Sequence, residues 1–396
     1  MPAILHCARG HAPASTMACM AQTFDICIRG AGIVGRTLAL LLARERLRVA
    51  LVAGPAPASG GHSDVRAYAL NMASRQLLEG LRSWPDAAHA TAVRSMQVAG
   101  DQGGAVCFDA QAQGVDALAW IVDVPALEAR LAEAVRYQPQ VETLSEPVEA
   151  ALTVACEGRA SQTRTEFGVD FEVTPYEQHA IATRLVCEQP HGQVARQWFL
   201  PDGILAFLPL GGPEGNSVAV VWSVQKEQVP GLLALAPEEF TQRLGGASQR
   251  ALGSLQLAGE RAAWPLQQAR ANRWCGALPP KGRQQRSFVL AGDAAHNVHP
   301  LAGQGLNLGL ADAQALAGLL HGRDYWRSVA DLKLLRRYER ERKTALLPMG
   351  LATDGLQQLF ARQDGPWQAL RNWGMKGFEH SGPIKHFVAR QAMGIH

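Results

Sequence analysis

The 396-residue chain is 47% hydrophobic and 18% charged, which is enough apolar material for two domains with substantial cores. Its formal net charge is only +3 and its arginines are scattered, with no basic patch interleaved with aromatics, so nucleic acid is excluded as a partner class. The seven cysteines show no CxxC or zinc-type spacing and their number is odd, so the pattern implies no metal and fits a reducing compartment better than a disulfide framework.

Residues 1–23 lack the long apolar core of a secretory signal, being broken by His6, Arg9, Gly10, His11 and Pro13. They read as a disordered extension, with Met17 or Met20 as an alternative start. No uninterrupted apolar run approaches the roughly 18 residues of a membrane span, which points to a cytoplasmic protein.

The first ordered signal is FDICIRGAGIVG, Phe24 to Gly35. Gly30, Gly32 and Gly35 have GxGxxG spacing after a strand-like run and before a helix-like run, Arg36 to Arg46, with Arg48 to Val52 following as a second strand. In this βαβ context the glycines serve a tight turn, close approach of a pyrophosphate and close packing of helix on strand. The acid that usually binds a ribose at the end of the second strand is missing: Val52, Ala53 and Gly54 stand there.

Asp123 to Val135 follows as a helix, with Gln140 to Leu144 and Ala150 to Ala155 as strands. From Phe167 to Trp274 the texture changes to alternating runs at His179 to Cys187, Ala195 to Phe199, Ile204 to Leu210 and Ser217 to Val224. These are separated by turn-forming PHG, PDG and GGPEGN. They predict an antiparallel sheet, with Trp198 and Trp222 in its core.

Ser287 to Ala313, SFVLAGDAAHNVHPLAGQGLNLGLADA, is the most informative stretch. A buried strand, Phe288 to Ala291, ends at Gly292, and the carboxylate of Asp293 stands where it can accept hydrogen bonds from a polyol such as the ribityl chain of FAD. Pro300, Gly303 and Gly305 form a turn with few side chains, suited to a flat ring. Leu306, Leu308, Leu310, Ala313, Leu316 and Leu320 then continue as a helix whose free N–H groups and positive end would face the pyrimidine edge of an isoalloxazine. An ordinary strand, turn and helix with Asp293 as an N-cap is the alternative. His296 and His299 read as structural hydrogen-bonding groups.

The last region is helical and basic. Interleaved Arg and Glu in LLRRYERERK, Leu334 to Lys343, predict a solvated helix face. Trp367, Trp373, Phe378 and Phe387 recur among basic residues, a mixture that suits either a membrane surface or packing on the rest of the protein.

The two glycine motifs, in this order, resemble the class A flavoprotein monooxygenases with the p-hydroxybenzoate hydroxylase fold, and most closely the UbiH/UbiF-type hydroxylases of ubiquinone biosynthesis. Gly292 to Asp312 matches their GDAAHxxxPxxGQGxNxGxxD signature throughout. The resemblance implies an α/β fold with a Rossmann-like FAD-binding domain (24–165 plus 275–345), an interleaved antiparallel β-sheet substrate domain (166–274 with part of 92–112) and a C-terminal helical region (346–396). It implies FAD as cofactor and NADPH or NADH as reductant. Oxygen would add at flavin C4a, and the hydroperoxide would hydroxylate a hydrophobic phenol such as a polyprenylphenol.

By the same resemblance, the arginine of DVRAYALN that contacts FAD is Arg66, and the backbone of Gly305, Leu306 and Asn307 holds the pyrimidine edge. Pro300 lines the flavin face near C4a, and Phe207 and Pro209 line the substrate pocket. The family's Asp-Gly motif, associated with FAD and NAD(P)H, falls on Glu157 and Gly158, closing at Arg164. Glutamate in place of aspartate is a departure there, and so is the short β excursion before it. No side chain stands out as a general base. A flavoenzyme acting on another small phenol and a non-catalytic assembly or lipid-binding protein remain alternatives. Peripheral contact with the inner membrane or a biosynthetic complex would suit a prenylated substrate, and no feature of the chain reports its oligomeric state.

Overall fold

A computed structural model of the chain describes residues 24–54, 65–100, 104–297 and 304–361, with side chains as far as Leu347. The expectations placed on residues 1–23, His299, Pro300, Gly303 and the aromatic series from Trp367 lie outside the described residues.

The strand Phe24–Arg29 pairs in parallel with Val49–Val52 on one side and Ala150–Ala155 on the other. Val141–Leu144 and Gln284–Leu290 extend this sheet in parallel, and Cys275–Lys281 closes it antiparallel. Ala150–Ala155 is buried at every position, as a strand inside a parallel sheet must be when both of its faces are covered. The helices Ile33–Arg44, Val124–Arg136 and Gly305–His321 contribute the leucines that pack on this sheet. In place of the longer β excursion, residues 145–149 connect Val141–Leu144 to Ala150–Ala155, and Val148 packs with Cys27, Ala50 and Val52.

The second layer is a nine-stranded sheet built around the long strand Phe171–Cys187. This strand pairs antiparallel with Ala262–Ala271 and Ser217–Gln225. Gly203–Pro209 and Val194–Leu200 follow in order, and then Ser95–Ala99 and Ala105–Asp109 join from the earlier part of the chain. At the other edge His296–Asn297 pairs with Arg270 and Ala269, so the end of the GDAAH segment is stitched to the second sheet. Ala67–Leu70, Ala119–Asp123 and Ala90–Val93 form a small third sheet.

The helix Leu332–Ala361 is continuous through residue 345, where the sequence suggests a boundary. Arg337–Glu341 and Lys343–Glu339 are the expected i,i+4 pairs, but Leu335 and Tyr338 are fully buried on its other side. Among the described residues no helix is long and apolar enough to cross a membrane.

Candidate active site

The three glycines of the first motif behave differently, and each difference has a steric cause. Gly30 has φ +112°, and a Cβ there would lie 2.4 Å from the Cys156 carbonyl oxygen. A Cβ on Gly35 would lie 1.9 Å from the Gly30 carbonyl oxygen, so the helix Ile33–Arg44 can approach the strand only with glycine at 35. Gly32 is exposed and has nothing within 4 Å of its Cβ position. It precedes a helix with no side-chain cap and no acid in its first turn, leaving N–H groups and a positive dipole end open to an anion.

The second motif meets the first at Val34. Gly292, with φ +63°, is in van der Waals range of Val34, and a Cβ on Gly309 would lie 2.8 Å from Val34 Cγ2 and 3.4 Å from Gly292 Cα. Asp293 follows Gly292 in the short turn Gly292–Ala294. Its carboxylate remains open to solvent and has no hydrogen-bond partner among the described residues. The surrounding protein still desolvates it, which raises its pKa despite the opposing fields of His296, Arg159 and Arg66. Arg66 and Asp293, far apart in the chain, are thus brought within electrostatic reach of each other.

The helix Gly305–His321 begins without a side-chain cap, and its first N–H groups precede the Leu308 N–H to Gln304 carbonyl bond. The Asn307 side chain is committed to the protein. Its Oδ1 accepts from Asn71 N (3.0 Å) and Ser74 Oγ (2.7 Å), and its Nδ2 donates to the Ala69 carbonyl (2.8 Å). Only the backbone of Asn307 is therefore left to face a ligand, along with Gly305 and Leu306.

The third motif is also occupied by protein. Glu157 accepts from Ser161 Oγ (2.6 Å), Thr163 N (3.0 Å) and Thr163 Oγ1 (2.8 Å), tying down the start of the short helix Gln162–Glu166. The extra methylene of glutamate is absorbed by that loop. Gly158, at φ +74°, makes the turn. Arg164 is buried, donates to the carbonyls of Ala294 (3.1 Å) and Arg159 (2.8 Å), and lies over the Phe171 ring. Arg164 ties this loop to the GDAAH segment at Ala294, while Glu157 orders the loop itself; Arg159, absent from the sequence reading, is the charged group of this loop whose field reaches Asp293.

A second residue, to which that reading gave no role beyond closing the signature, is Asp312, which is fully buried. Its carboxylate accepts from Gly292 N (2.9 Å), His296 Nε2 (2.7 Å) and Arg342 Nε (2.6 Å). Burial opposes its ionisation, but His296 and Arg342 outweigh burial and hold the carboxyl below the usual aspartate range. His296, stacked on Trp274, is accordingly a structural hydrogen-bonding group. Arg342, expected on a solvated face, crosses instead to the helix Gly305–His321, where it meets Asp312 and the Leu308 carbonyl. A lone acid on the apolar side of a helix is the signal that such a partner must exist.

Beside this cradle lies a cavity of about 320 Å³, between the nine-stranded sheet, the small third sheet and the start of the helix Gly305–His321. Its floor is a run of small side chains including Ala180, Ala182, Ala195, Ala206 and Ala219, with Arg66 and Gln304 on the opposite wall. The expectation that Phe207 and Pro209 line this pocket needs correction. Successive side chains of a strand point to opposite faces, and in Gly203–Pro209 it is Ile204, Ala206 and Leu208 that face the cavity. Phe207 is buried in the core on the far face with Trp198 and Leu205, and Pro209 shares its parity.

An open Gly32 at an uncapped helix start, an unpartnered carboxylate at Asp293 and a second uncapped helix fit the pyrophosphate, ribityl and ring portions of FAD. The mostly parallel sheet with its layer of helices, the mainly antiparallel sheet and an apolar cavity beside the glycine motifs define a class A flavoprotein monooxygenase. Residues 127–347 match the family model described as an FAD binding domain. The ubiquinone hydroxylase UbiL of Rhodospirillum rubrum is 32% identical to the chain over 93% of it and 89% of the relative. The 3-demethoxyubiquinol 3-hydroxylase of Escherichia coli is 30% identical over 94% and 99%. In fold, the p-nitrophenol 4-monooxygenase PnpA of Pseudomonas putida DLL-E4 superposes with a TM-score of 0.69 at 20% identity, covering 94% of this chain and 96% of that one. The chain belongs to the FAD-dependent hydroxylase family of ubiquinone biosynthesis.

Proposed function

We propose that this protein hydroxylates the aromatic ring of a polyprenylphenol on the route to ubiquinone, using FAD, NAD(P)H and O2. The observation that carries the reading is the alanine-floored cavity placed directly beside the FAD cradle. A ring with an apolar tail is held there mainly by burial of apolar surface.

FAD bound there would supply the chemistry that transfers one oxygen atom of O2 to the ring at the expense of NAD(P)H. The chain's own residues bind and orient. Gly32 and the uncapped helix behind it would receive the pyrophosphate, and Asp293 would accept from the ribityl hydroxyls. The N–H groups of Gly305, Leu306 and Asn307 would meet the pyrimidine edge, with Arg66 alongside. Ile204, Ala206 and Leu208 would keep water from the reacting ring. The hydrophobic substrate gives a reason for peripheral contact with the inner membrane or with partner enzymes.

The test is the visible spectrum of the purified protein before and after NADPH, with and without a short-chain polyprenylphenol. A bound flavin that is reduced faster in the presence of the phenol supports the reading. Protein that stays colourless after FAD is supplied, or a flavin that NADPH and NADH never reduce, counts against it.

A further inference from the structure

The cavity floor carries one feature that its apolar character does not explain. Ser223, only 7% exposed, lies on the strand Ser217–Gln225 among the cavity residues. Its register partners are Ile204 on one side and Ala180 on the other, and Ala180 is in turn paired with Trp264. Cross-strand partners share a face, so Trp264, Ala180, Ser223 and Ile204 form one row across the floor, and all four line the cavity. The Ser223 hydroxyl has no hydrogen-bond partner among the described residues. The hydroxyl is therefore open to the cavity and can pair with whatever fills it, which an alanine, as at the neighbouring floor positions, could not do.

The row also has a defined place relative to the flavin loop. Trp264 belongs to the strand Ala262–Ala271, whose Ala269 and Arg270 pair with Asn297 and His296 at the end of the GDAAH segment. The Trp264 end of the row therefore lies on the strand that pairs with the GDAAH segment, and Ser223 is two strands from it. The other polar floor residue, Gln197, is two strands further away, on Val194–Leu200.

We infer that Ser223 hydrogen-bonds a ring oxygen of the substrate and so fixes which edge of the ring faces the cofactor, with the Trp264 indole as the adjoining wall. This rests on the proposed function, and it adds the group that turns a non-directional apolar cavity into an oriented site. A hydroxyl suits the task because it donates to a ring oxygen and accepts from a phenolic O–H.

The experiment is calorimetric titration of the FAD-loaded protein with a short-chain prenylphenol and with the corresponding prenylbenzene, which lacks the ring oxygen. The ratio of the two affinities is compared in wild type, Ser223→Ala and Ser223→Thr. A neutral hydrogen bond corresponds to a ratio that falls roughly 3- to 10-fold in the alanine variant, with prenylbenzene affinity unchanged. Threonine, which keeps the hydroxyl, should restore the ratio. Should the alanine variant keep the wild-type ratio while wild type binds the phenol, the role of Ser223 is overturned and the proposed function stands. If wild-type protein binds neither compound, the proposed function fails and this inference falls with it.

Discussion

Replacing Asp312 with asparagine should weaken the protein far more than a typical single substitution. The carboxylate is fully buried and is the common acceptor for Gly292 N, His296 Nε2 and Arg342 Nε. Asparagine keeps the shape and one acceptor but leaves the Arg342 guanidinium, with a side chain only 11% exposed, facing a neutral amide. Its remaining hydrogen bond among the described residues is 3.3 Å from Nη2 to the Leu308 carbonyl. Breaking a buried pair by neutralising one partner costs about 3–5 kcal/mol. Urea unfolding of the flavin-free protein, followed by circular dichroism, measures this loss directly. Adding Arg342→Met removes the unpaired cation, so the double variant should be more stable than the sum of the single effects by more than about 1 kcal/mol. The pH dependence has a definite sign as well. A carboxyl held low in the folded state contributes stability that is present above the ordinary aspartate pKa, about 3.9, and lost as pH falls towards its lower folded value. Asp312→Asn should flatten that acid limb. A loss below about 1 kcal/mol, or strict additivity with Arg342→Met, would refute the anchoring role.

Three further outcomes separate binding from folding. Gly35→Ala should destabilise the flavin-free protein severely, because its Cβ falls 1.9 Å from a carbonyl oxygen, whereas Gly32→Ala should leave unfolding within about 0.5 kcal/mol of wild type and lower FAD affinity. Equal effects of the two on unfolding would contradict the division of labour among the glycines. Asp293→Ala should lose FAD while the fold persists. In wild type, affinity should decline as pH falls through the raised pKa of Asp293, since a protonated carboxyl loses acceptor strength; an unchanged flavin content in the variant would overturn this assignment. Phe207→Ala should cost about 3–5 kcal/mol of stability with substrate binding intact, while Ala206→Leu should fill the cavity and block the phenol. Unfolding curves and phenol titrations of both variants distinguish these results.

Local signals were readable because they depend on neighbours in sequence. GAGIVG sets its own turn and helix start, and GDAAH sits at the end of an apolar strand, so both motifs could be placed without knowing the fold. What escaped the sequence involves which face of an element meets which partner. Gly203–Pro209 is apolar on both faces, so periodicity cannot say which side borders the cavity, and Phe207 was placed on the wrong one. The strand Phe171–Cys187 begins eight residues before the expected His179. Its register shifts between Pro175 and His179 and its first residues are mostly exposed, which erases the alternation that marks a strand. Asp312 and Arg342 lie on helices joined only in three dimensions. In the Arg- and Glu-rich run around Arg342, nothing local distinguishes the arginine that turns inward from those that stay in solvent.

The most direct measurement supplies 18O2 to the FAD-loaded protein with NADPH and a short-chain polyprenylphenol, and determines the mass of the product. Hydroxylation of the ring predicts one labelled oxygen atom per product molecule, carried on the ring. Flavin reoxidation with the phenol recovered unchanged, or a product whose new oxygen comes from water, would contradict the assignment of this chain as an aromatic-ring monooxygenase.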